Sequence, residues 1–290
     1  MNKIYQAPVI VGCMKLGQWG AKFSTDELER FIDQYLELGL NEFDHADIYG
    51  AHTTEAEFGE VIKRRSDLKS KVKVTTKCGI AYPSDLRDLT IKHYISTSSY
   101  IEKSIDLALQ NLQLEQIDVF LVHRPDYLMD PADIAKAVEK AKSSGKINHF
   151  GVSNFQPDQF ELLNSYVPLA TNQIEVSVAH LDAFTDGSLT QLQQLGVQPS
   201  AWSPLAGGVV FGGQDEKSIR IRNTATELAE KKNCKIDHIL LAFVRKHPSG
   251  IIPVLGTSKI DRIRDAIAAS HIQLTHEEWY ELWTASIGEK

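Results

Sequence analysis

Four side chains of different chemistry stand where apolar segments of the sequence end. Asp44 and Tyr49 lie five residues apart in NEFDHADIYG, and Lys77 lies inside the β-branched run KVTTKC. His123 follows the apolar run DVFLV. A lysine within an apolar strand is costly unless it is paired, and Asp44 is an available partner. Each residue alone has an ordinary structural explanation, but together at neighbouring strand ends the four predict a catalytic site.

The segments that must position these residues alternate between short β-branched runs and longer amphipathic ones. Residues 24–40 place apolar side chains at helical spacing behind a capping-box pair, Ser24 and Glu27. Strands are predicted in APVIVGCM, NEFDHA, KVKVTTKC, IDVFLVH, HFGVSN, TNQIEVS, QPSAWS and GIIPVLG. Further helices are predicted near 53–64, 97–112, 131–144, 157–166, 187–195, 218–232, 236–246, 259–269 and 275–285.

Eight strand–helix units in 290 residues predict an α/β protein with a (β/α)8 TIM barrel. We expect residues 1–290 to form a single domain, with extra helical segments near the C-terminus. The alternative is a doubly wound open sheet, which should carry G-x-G-x-x-G after its first strand. That strand is followed here by GCMKLGQWG, which lacks the spacing. In a barrel the carboxyl ends of all eight strands share one face, where catalytic groups gather.

Composition excludes several classes of protein. The net charge of −7, from 31 Lys plus Arg against 38 Asp plus Glu, argues against nucleic-acid binding. The sequence contains neither a signal-peptide pattern nor 18 continuous apolar residues, so no membrane association is expected. Three cysteines without C-x-x-C spacing fit a reducing compartment, and the cytoplasm is predicted. A small-molecule ligand is expected, and a monomer is favoured over an oligomer.

The motifs around these residues occur in an order that a known family shares. The stretches are FDHADIYG, TTKCGI, LVHRPD, GKINHFGVSNF, TNQIEVS, AWSPLAGG and IPVLGTSKIDRIRDA. Each is moderately specific alone, but as an ordered set running from about residue 10 to 270 they are highly specific. The chain resembles the aldo-keto reductase superfamily over nearly its whole length.

This resemblance implies reduction of an aldehyde or ketone carbonyl, with hydride from a nicotinamide and a proton from Tyr49. The ordinary phenol pKa of about 10 is too high for easy proton donation at neutral pH, and a neighbouring ammonium lowers it. By resemblance that ammonium is Lys77, which Asp44 holds in place. His123 is expected to hydrogen-bond and polarise the carbonyl oxygen.

The resemblance also implies a cofactor, NADPH in preference to NADH. Ser153, Asn154 and Gln173 match positions that bind the carboxamide, and Trp202 matches the aromatic residue that stacks on the nicotinamide. Glycines let backbone amides approach a pyrophosphate. The loop expected to do so contains Ser203, Leu205, Gly207 and Gly208.

The segment after the last strand matches the family's site for the adenosine end of the cofactor. Lys259 and Arg262 lie three residues apart on one predicted helical face, where they can clamp a 2′-phosphate. The full set of expected contacts is Gly256, Thr257, Ser258, Lys259, Arg262 and Asp265. Many relatives have lysine at Gly256 and asparagine at Ala266, so fewer phosphate and adenine contacts are expected here.

Two other functions stay open at this point. A metal-dependent barrel hydrolase would use histidines and carboxylates at strand ends. Its candidate ligands are Asp44, His45, His52, His123 and Asp126. That reading has no H-x-H after the first strand and would put Lys77 beside a dication, so no metal site is predicted. The other alternative is an NADPH-binding, redox-sensing barrel that regulates a partner with little turnover.

Overall fold

Eight strands of the computed structural model form a closed barrel. The structure describes residues 3–288. All strands within these residues, including the separate pair β4 and β5, are β1 Ile10–Gly12, β2 Glu42–Asp44, β3 Lys73–Cys78, β4 Ile80–Ala81, β5 His93–Tyr94, β6 Ile117–Val122, β7 Ile147–Ser153, β8 Asn172–Glu175, β9 Ser200–Trp202 and β10 Ile252–Leu255. Around the barrel the order is β1, β10, β9, β8, β7, β6, β3, β2. The predicted (β/α)8 barrel is therefore confirmed.

Helices follow the barrel strands along the chain. They are α1 Thr25–Glu37, α2 Thr54–Arg64, α3 Ser98–Leu112, α4 Pro131–Ser143, α5 Pro157–Asn164, α6 Asp182–Thr185, α7 Ser188–Leu195, α8 Val209–Gly212, α9 Glu216–Lys231, α10 Ile236–Arg245, α11 Ile260–Ala268 and α12 His276–Ile287. The helices predicted from periodicity occur within a few residues of their expected bounds, because each presents an apolar stripe to the strands. No helix within residues 3–288 is long and apolar enough to cross a bilayer.

The chain divides into two compact units by the density of its internal contacts. One unit is Ile10–Asn172, and the other runs from Gln173 onward together with the N-terminal residues through Val9. The first unit holds the parallel pairs of β1 with β2, β2 with β3, β3 with β6 and β6 with β7. The second contains the parallel pairs of β9 with β10 and of β8 with β9. A single domain stays a prediction.

The start of α1 shows how local sequence determines a helix boundary. The Ser24 N–H donates to Glu27 Oε2 at 2.8 Å, and the Glu27 N–H donates to Ser24 Oγ at 3.4 Å. This reciprocal capping box satisfies two backbone donors that the first helical turn leaves unpaired. The predicted helix therefore begins where its capping pattern stands.

The long connection between β3 and α3 contains a feature that the sequence interpretation missed. Strands β4 and β5 pair antiparallel, with Ile80 opposite Tyr94 and Ala81 opposite His93. Each has only two residues, too few for strand periodicity to be recognised. This hairpin covers the apolar cluster of Ala46, Ile48 and Tyr49.

Helices α2 and α3 approach closely at Gly59. A Cβ atom at this position would lie 1.8 Å from the backbone oxygen of Asn111. Real side chains never come so close to a backbone atom, so only glycine allows this helix–helix distance. This contact therefore holds α2 and α3 of the first unit close together.

We expect Gly59→Ala to destabilise the fold by about 1–3 kcal/mol, because α2 and α3 must separate to admit the methyl group. Urea unfolding followed by circular dichroism measures the change. Gly212→Ala is the matched control, since no atom lies within 4 Å of its would-be Cβ. Equal stability of the two variants would contradict the close-contact argument.

Candidate active site

Three adjacent strands of the first unit carry the predicted catalytic residues to one end. Asp44 ends β2, Lys77 is the penultimate residue of β3, and His123 directly follows β6. The strands are in parallel register, with Asp44 beside Thr75 and Lys77 beside Leu121. Since parallel strands end on the same side of a sheet, the three side chains meet there.

The Lys77 ammonium forms the centre of this group. Its Nζ donates to Asp44 Oδ2 at 2.6 Å, to the backbone oxygen of His45 at 2.7 Å and to Tyr49 Oη at 3.3 Å. An ammonium has three N–H donors, and all three are used. Lys77 is fully buried and Asp44 is 2% exposed, so the ion pair is shielded from water.

Electrostatics keep Lys77 charged in this position. Burial alone would lower the pKa of its ammonium, because desolvation disfavours the charged form. The charges of Asp44 and Tyr49 and the hydrogen bonds to both outweigh burial, so the pKa of Lys77 is raised above its ordinary value. The lysine is therefore cationic throughout the neutral range.

An unusual turn directly follows Tyr49. Gly50, Ala51 and His52 follow it with φ of 60°, 56° and 77°, all in the left-handed region that non-glycine residues rarely adopt. The ring of His52 lies between two backbone oxygens, with Nδ1 2.8 Å from the oxygen of Asp47 and Nε2 3.1 Å from the oxygen of Tyr82, and a neutral ring donates to one of them. The ring thus lies between the chain before the turn and the chain beyond β4.

The Tyr49 phenol is protonated at neutral pH. Burial raises its pKa most, and although the charge and hydrogen bond of Lys77 lower it, the net effect is a pKa above the ordinary value. From the sequence we expected the Lys77 ammonium to have the largest effect on this pKa and to lower it. That expectation omitted the desolvation of the phenolate, which only the folded environment imposes.

His123 is a neutral imidazole facing the same group. Its ring lies 6.0 Å from the Tyr49 ring at 80°. Burial, followed by the charges of Lys77, Arg124 and Lys92, lowers the pKa of His123 well below its ordinary value. The residue is partly exposed, but its Nδ1 is buried without a hydrogen-bond partner among the described atoms. A neutral ring can donate one N–H without adding charge beside Lys77.

A second layer of polar residues supports β3 from behind, and the sequence interpretation missed it. Thr76 Oγ1 donates to Glu55 Oε1 at 2.6 Å, and Asn111 Nδ2 donates to Glu55 Oε2 at 3.4 Å. Successive side chains of a strand point to opposite faces, so anchoring Thr76 outward orients Lys77 inward. The available signal was a carboxylate on the apolar stripe of α2, in phase with Phe58 and Ile62.

The side chains of His45 and Cys78, the neighbours of Asp44 and Lys77, take no part in the group, although the backbone oxygen of His45 does. His45 is fully buried with its ring 4.7 Å from Phe58, and burial lowers its pKa to about 3. Burial raises the pKa of the Cys78 thiol well above its ordinary value. His45 is therefore a neutral packing residue, and Cys78 is an unreactive thiol.

The side chains proposed as ligands in the metal-dependent alternative already have other partners or positions. Asp44 pairs with the Lys77 ammonium instead of standing open to a cation. His45 packs in the core, and Asp126 accepts hydrogen bonds from the backbone and hydroxyl of Ser96, both at 3.0 Å. Within residues 3–288 no group of three or more His, Cys, Asp or Glu side chains could hold a metal ion.

Two of the predicted cofactor residues adjoin His123 in the first unit. Ser153 ends β7 and is buried, and Asn154 follows with φ of 60°. Asn154 Nδ2 donates to Ser153 Oγ at 2.8 Å and to the backbone oxygen of His123 at 3.3 Å. The left-handed residue thus places its amide between the Ser153 hydroxyl and the backbone of His123.

The second unit contains the remaining predicted cofactor residues. Gln173 is buried in β8 beside Ser200, and Trp202 ends β9 beside Glu175. The loop that follows contains four residues with positive φ, namely Ser203, Ala206, Gly207 and Gly208. Leu205 lies partly exposed among them. No atom lies within 4 Å of where a Cβ would stand on Gly207 or Gly208, so their backbone is open.

The segment between β10 and α11 exposes hydroxyl and cationic groups. Gly256 is exposed with open space around it, and Thr257 and Ser258 are partly exposed. Lys259 and Arg262 are exposed and form no ion pair with any described residue. Asp265 differs, because it accepts from Lys235 Nζ at 2.7 Å. Its carboxylate is already committed to a cation of its own unit.

We expect Asp44→Asn to destabilise the protein by about 3–5 kcal/mol, because the buried Lys77 ammonium would lose its counter-charge. The double variant Asp44→Asn with Lys77→Met should recover most of that loss, since no buried charge remains. Urea unfolding measures both. Asp26→Asn, which removes the partner of the exposed Arg64, is the control and should change stability little. A double variant as unstable as Asp44→Asn would refute the pairing argument.

Comparisons with known proteins identify the family of this chain. A model of the Aldo/keto reductase family matches residues 8–286. Oxidoreductase YdhF of Escherichia coli (strain K12) is 40% identical over 96% of this chain and 93% of its own length. A 6-dehydroglucose reductase of Agrobacterium fabrum is 35% identical over 100% of this chain and 97% of its own.

A solved structure shows the same fold. Glycerol dehydrogenase from Gluconobacter oxydans superposes with a TM-score of 0.86 at 22% sequence identity, covering 98% of this chain and 93% of that one. The family match spans nearly the whole sequence, and the resemblance read from the ordered motifs is confirmed. The chain belongs to the aldo/keto reductase family.

Proposed function

We propose that this protein reduces aldehyde or ketone carbonyls to alcohols with a nicotinamide dinucleotide, NADPH in preference to NADH. The observation that carries the proposal is the shared ammonium of Lys77, bonded at once to Asp44, His45 and Tyr49. The identity to 6-dehydroglucose reductase supports a small carbonyl compound as substrate. The proposed substrate is a small carbonyl compound, and the proposal includes neither a nucleic acid nor a membrane as partner.

Tyr49 is the proposed proton donor. Its phenol is protonated at neutral pH because its pKa is raised, so a proton is available when the carbonyl oxygen becomes basic. Lys77 then offsets the negative charge left on the phenolate through their 3.3 Å hydrogen bond. Asp44 holds the ammonium in place through their 2.6 Å hydrogen bond. These roles follow the predicted ones, with burial added as the reason the phenol keeps its proton.

His123 is proposed to orient the carbonyl. A neutral imidazole donates one N–H to the oxygen and polarises the bond, and its lowered pKa prevents a competing positive charge. Its position 6.0 Å from the Tyr49 ring leaves both groups facing one small acceptor. Reduction therefore requires one hydride at carbon and one proton at oxygen, the latter from Tyr49.

The residues present fit a nicotinamide dinucleotide. When bound, this cofactor supplies the hydride. Ser153 and Asn154 offer the hydroxyl and amide groups proposed to bind its carboxamide, while Gln173 and Trp202 stay predictions from the resemblance. The open backbone at Gly207 and Gly208 suits a pyrophosphate.

The adenosine end of the cofactor is proposed to bind at the start of α11. The candidate contacts there are Gly256, Thr257, Ser258, Lys259 and Arg262. The uncommitted cations Lys259 and Arg262 favour a 2′-phosphate, and this supports NADPH over NADH. The committed carboxylate of Asp265 makes it a weaker candidate for an adenine contact than the resemblance implied.

A cytoplasmic location and a monomeric state also stay predictions. The three cysteines are free thiols, with Cys13 and Cys78 buried and Cys234 partly exposed. This arrangement supports a reducing compartment. The redox-sensing alternative predicts cofactor binding with little turnover, and the next experiment separates it from an enzyme.

We expect Tyr49→Phe to lower kcat for a simple aldehyde at least about 100-fold while NADPH still binds, because only the proton donor is lost. Steady-state kinetics and a binding titration measure the two effects. Tyr166→Phe, an exposed phenol, is the control. In the wild type, kcat/KM should stay level through neutral pH and fall only above about pH 10, since the raised pKa keeps Tyr49 protonated below that value. Equal rates for wild type and Tyr49→Phe would favour the redox-sensing alternative.

We expect Arg262→Ala to weaken NADPH binding about tenfold and leave NADH binding unchanged, because a charge-assisted contact to the 2′-phosphate is lost. Quenching of tryptophan fluorescence gives both dissociation constants. Arg264→Ala on the same helix is the matched control, since Arg264 pairs with Asp261 at 2.5 Å. A tenfold loss with both nucleotides, or with neither, would remove Arg262 from the proposed clamp.

A further inference from the structure

The loop proposed to bind the pyrophosphate has a backbone conformation that its surroundings must hold. Residues 203–208 include four with positive φ, and two of these are the non-glycine residues Ser203 and Ala206, at 49° and 52°. Such residues adopt this region only where the surrounding structure imposes it. Gly207 and Gly208 add to the conformational freedom that the loop must lose. Contacts outside the loop are therefore needed to keep its open backbone ready for a ligand.

The hydrogen bonds inside this loop do not attach it to the rest of its unit. The N–H groups of Ala206 and Gly208 donate to the backbone oxygens of Ser203 and Leu205, at 2.8 Å and 2.9 Å. Each bond only closes a turn between residues three apart. The segment that follows, α8, has four residues and buries Val210. A helix this short is not stable by itself, so the contacts that hold α8 also determine where the loop lies.

Arg222 of α9 provides these contacts. Its Nη1 donates to the backbone oxygens of Val210 and Gly213, both at 2.9 Å. A terminal guanidinium nitrogen carries two N–H groups, one for each oxygen. The last carbonyl groups of a helix have no partner within it, and a cationic side chain can satisfy them. Arg222 thus holds the end of α8 against α9.

The first turn of α9 packs against the same segment. Ser218 lies four residues before Arg222, so the two side chains project from one face of the helix. A Cβ atom on Gly213 would lie 2.6 Å from Ser218 Oγ, which shows how closely the backbone approaches α9 there. The Ser218 N–H donates to Asp215 Oδ1 at 2.9 Å and caps the helix. The chain is therefore fixed from Gly213 to Ser218, and Arg222 extends this attachment back to Val210.

We propose that Arg222 is a positioning residue for the cofactor, which keeps residues 203–208 in their binding conformation by holding the backbone of Val210 and Gly213. This inference rests on the proposed use of a nicotinamide dinucleotide and adds a residue outside the predicted contacts. Arg222 acts through the backbone of the loop and not on the 2′-phosphate, so the binding of NADPH and of NADH depends on it equally. When fewer molecules keep the binding conformation, the apparent dissociation constant rises in inverse proportion to their fraction.

The test compares Arg222→Met, which keeps the aliphatic stem and removes every N–H donor, with Arg222→Lys, which keeps a cationic donor. Arg220→Met is the matched control, because Arg220 lies on the same helix and its Nε donates to a backbone oxygen elsewhere, that of Ala285 in α12, at 3.0 Å. Quenching of tryptophan fluorescence gives the dissociation constants of NADPH and NADH. Steady-state kinetics with a simple aldehyde gives kcat and the KM for NADPH, and urea unfolding gives the stability of each variant.

A second measurement follows the position of α8 without any turnover. Phe211 of α8 is 44% exposed, and chymotrypsin cleaves after aromatic residues where the backbone detaches from its surroundings. The rate of cleavage after Phe211, identified by the masses of the fragments, therefore reports how often this segment leaves α9.

We expect Arg222→Met to weaken the binding of both nucleotides about tenfold, as when about a tenth of the molecules keep the binding conformation. The KM for NADPH should rise while kcat at saturating NADPH changes less than about twofold, because bound cofactor restores the loop. Cleavage after Phe211 should become faster, and NADPH should suppress it. Arg222→Lys should retain most of the affinity, and Arg220→Met should bind both nucleotides as the wild type does.

Unchanged nucleotide affinity in Arg222→Met would overturn the inference and leave the reductase proposal intact, whatever the rate of cleavage. A loss confined to NADPH would also overturn it, because Arg222 would then act on the 2′-phosphate directly. Equal losses of affinity and of stability in Arg222→Met and Arg220→Met would leave Arg222 with a general role in the fold and no specific role in positioning the loop. Wild-type protein that binds neither nucleotide would refute the cofactor proposal itself, and this inference with it.

Discussion

The ammonium of Lys77 is the constraint on which the rest of the first unit depends. A fully buried cation is expensive unless every donor is satisfied and a counter-charge is adjacent. The structure meets this demand with the Asp44 carboxylate, the His45 backbone oxygen and the Tyr49 hydroxyl. Strand β2 must therefore end beside β3, and the chain after it must turn sharply enough to return the phenol. In that connection the Asp47 N–H donates to the backbone oxygen of Lys77 at 3.0 Å, and the left-handed run from Gly50 to His52 comes after the phenol.

Two neutral hydrogen-bond donors, Tyr49 and His123, lie near the Lys77 cation, which is paired with Asp44. Tyr49 keeps its proton because burial outweighs the field of Lys77, and His123 stays neutral because burial and nearby cations oppose a second charge. Both groups can then donate to a carbonyl oxygen. Behind β3, the bond from Thr76 to Glu55 fixes the opposite face of the strand, so the orientation of Lys77 is set from both sides.

Local charge matters more for ligand choice than the net charge of −7. Some cations are committed to carboxylates, as Lys235 is to Asp265 and Arg264 to Asp261. Lys259 and Arg262 have no such partner within residues 3–288. An uncommitted cation attracts an anionic ligand without first breaking an ion pair, so these two side chains carry the proposal about the 2′-phosphate.

The sequence alone determined the barrel and the identity of the central residues. Periodicity and capping placed the helices, and a lysine inside an apolar strand required a partner that Asp44 could provide. Three things needed the tertiary structure. The β4–β5 hairpin has strands too short for a pattern, so the pairing of Ile80 with Tyr94 could not be predicted. Glu55 finds Thr76 and Asn111 only when two helices and a strand pack. The shift of the Tyr49 pKa depends on a competition between desolvation and the field of Lys77. The pKa is raised because burial outweighs that field, and the burial is created by neighbours distant in the sequence.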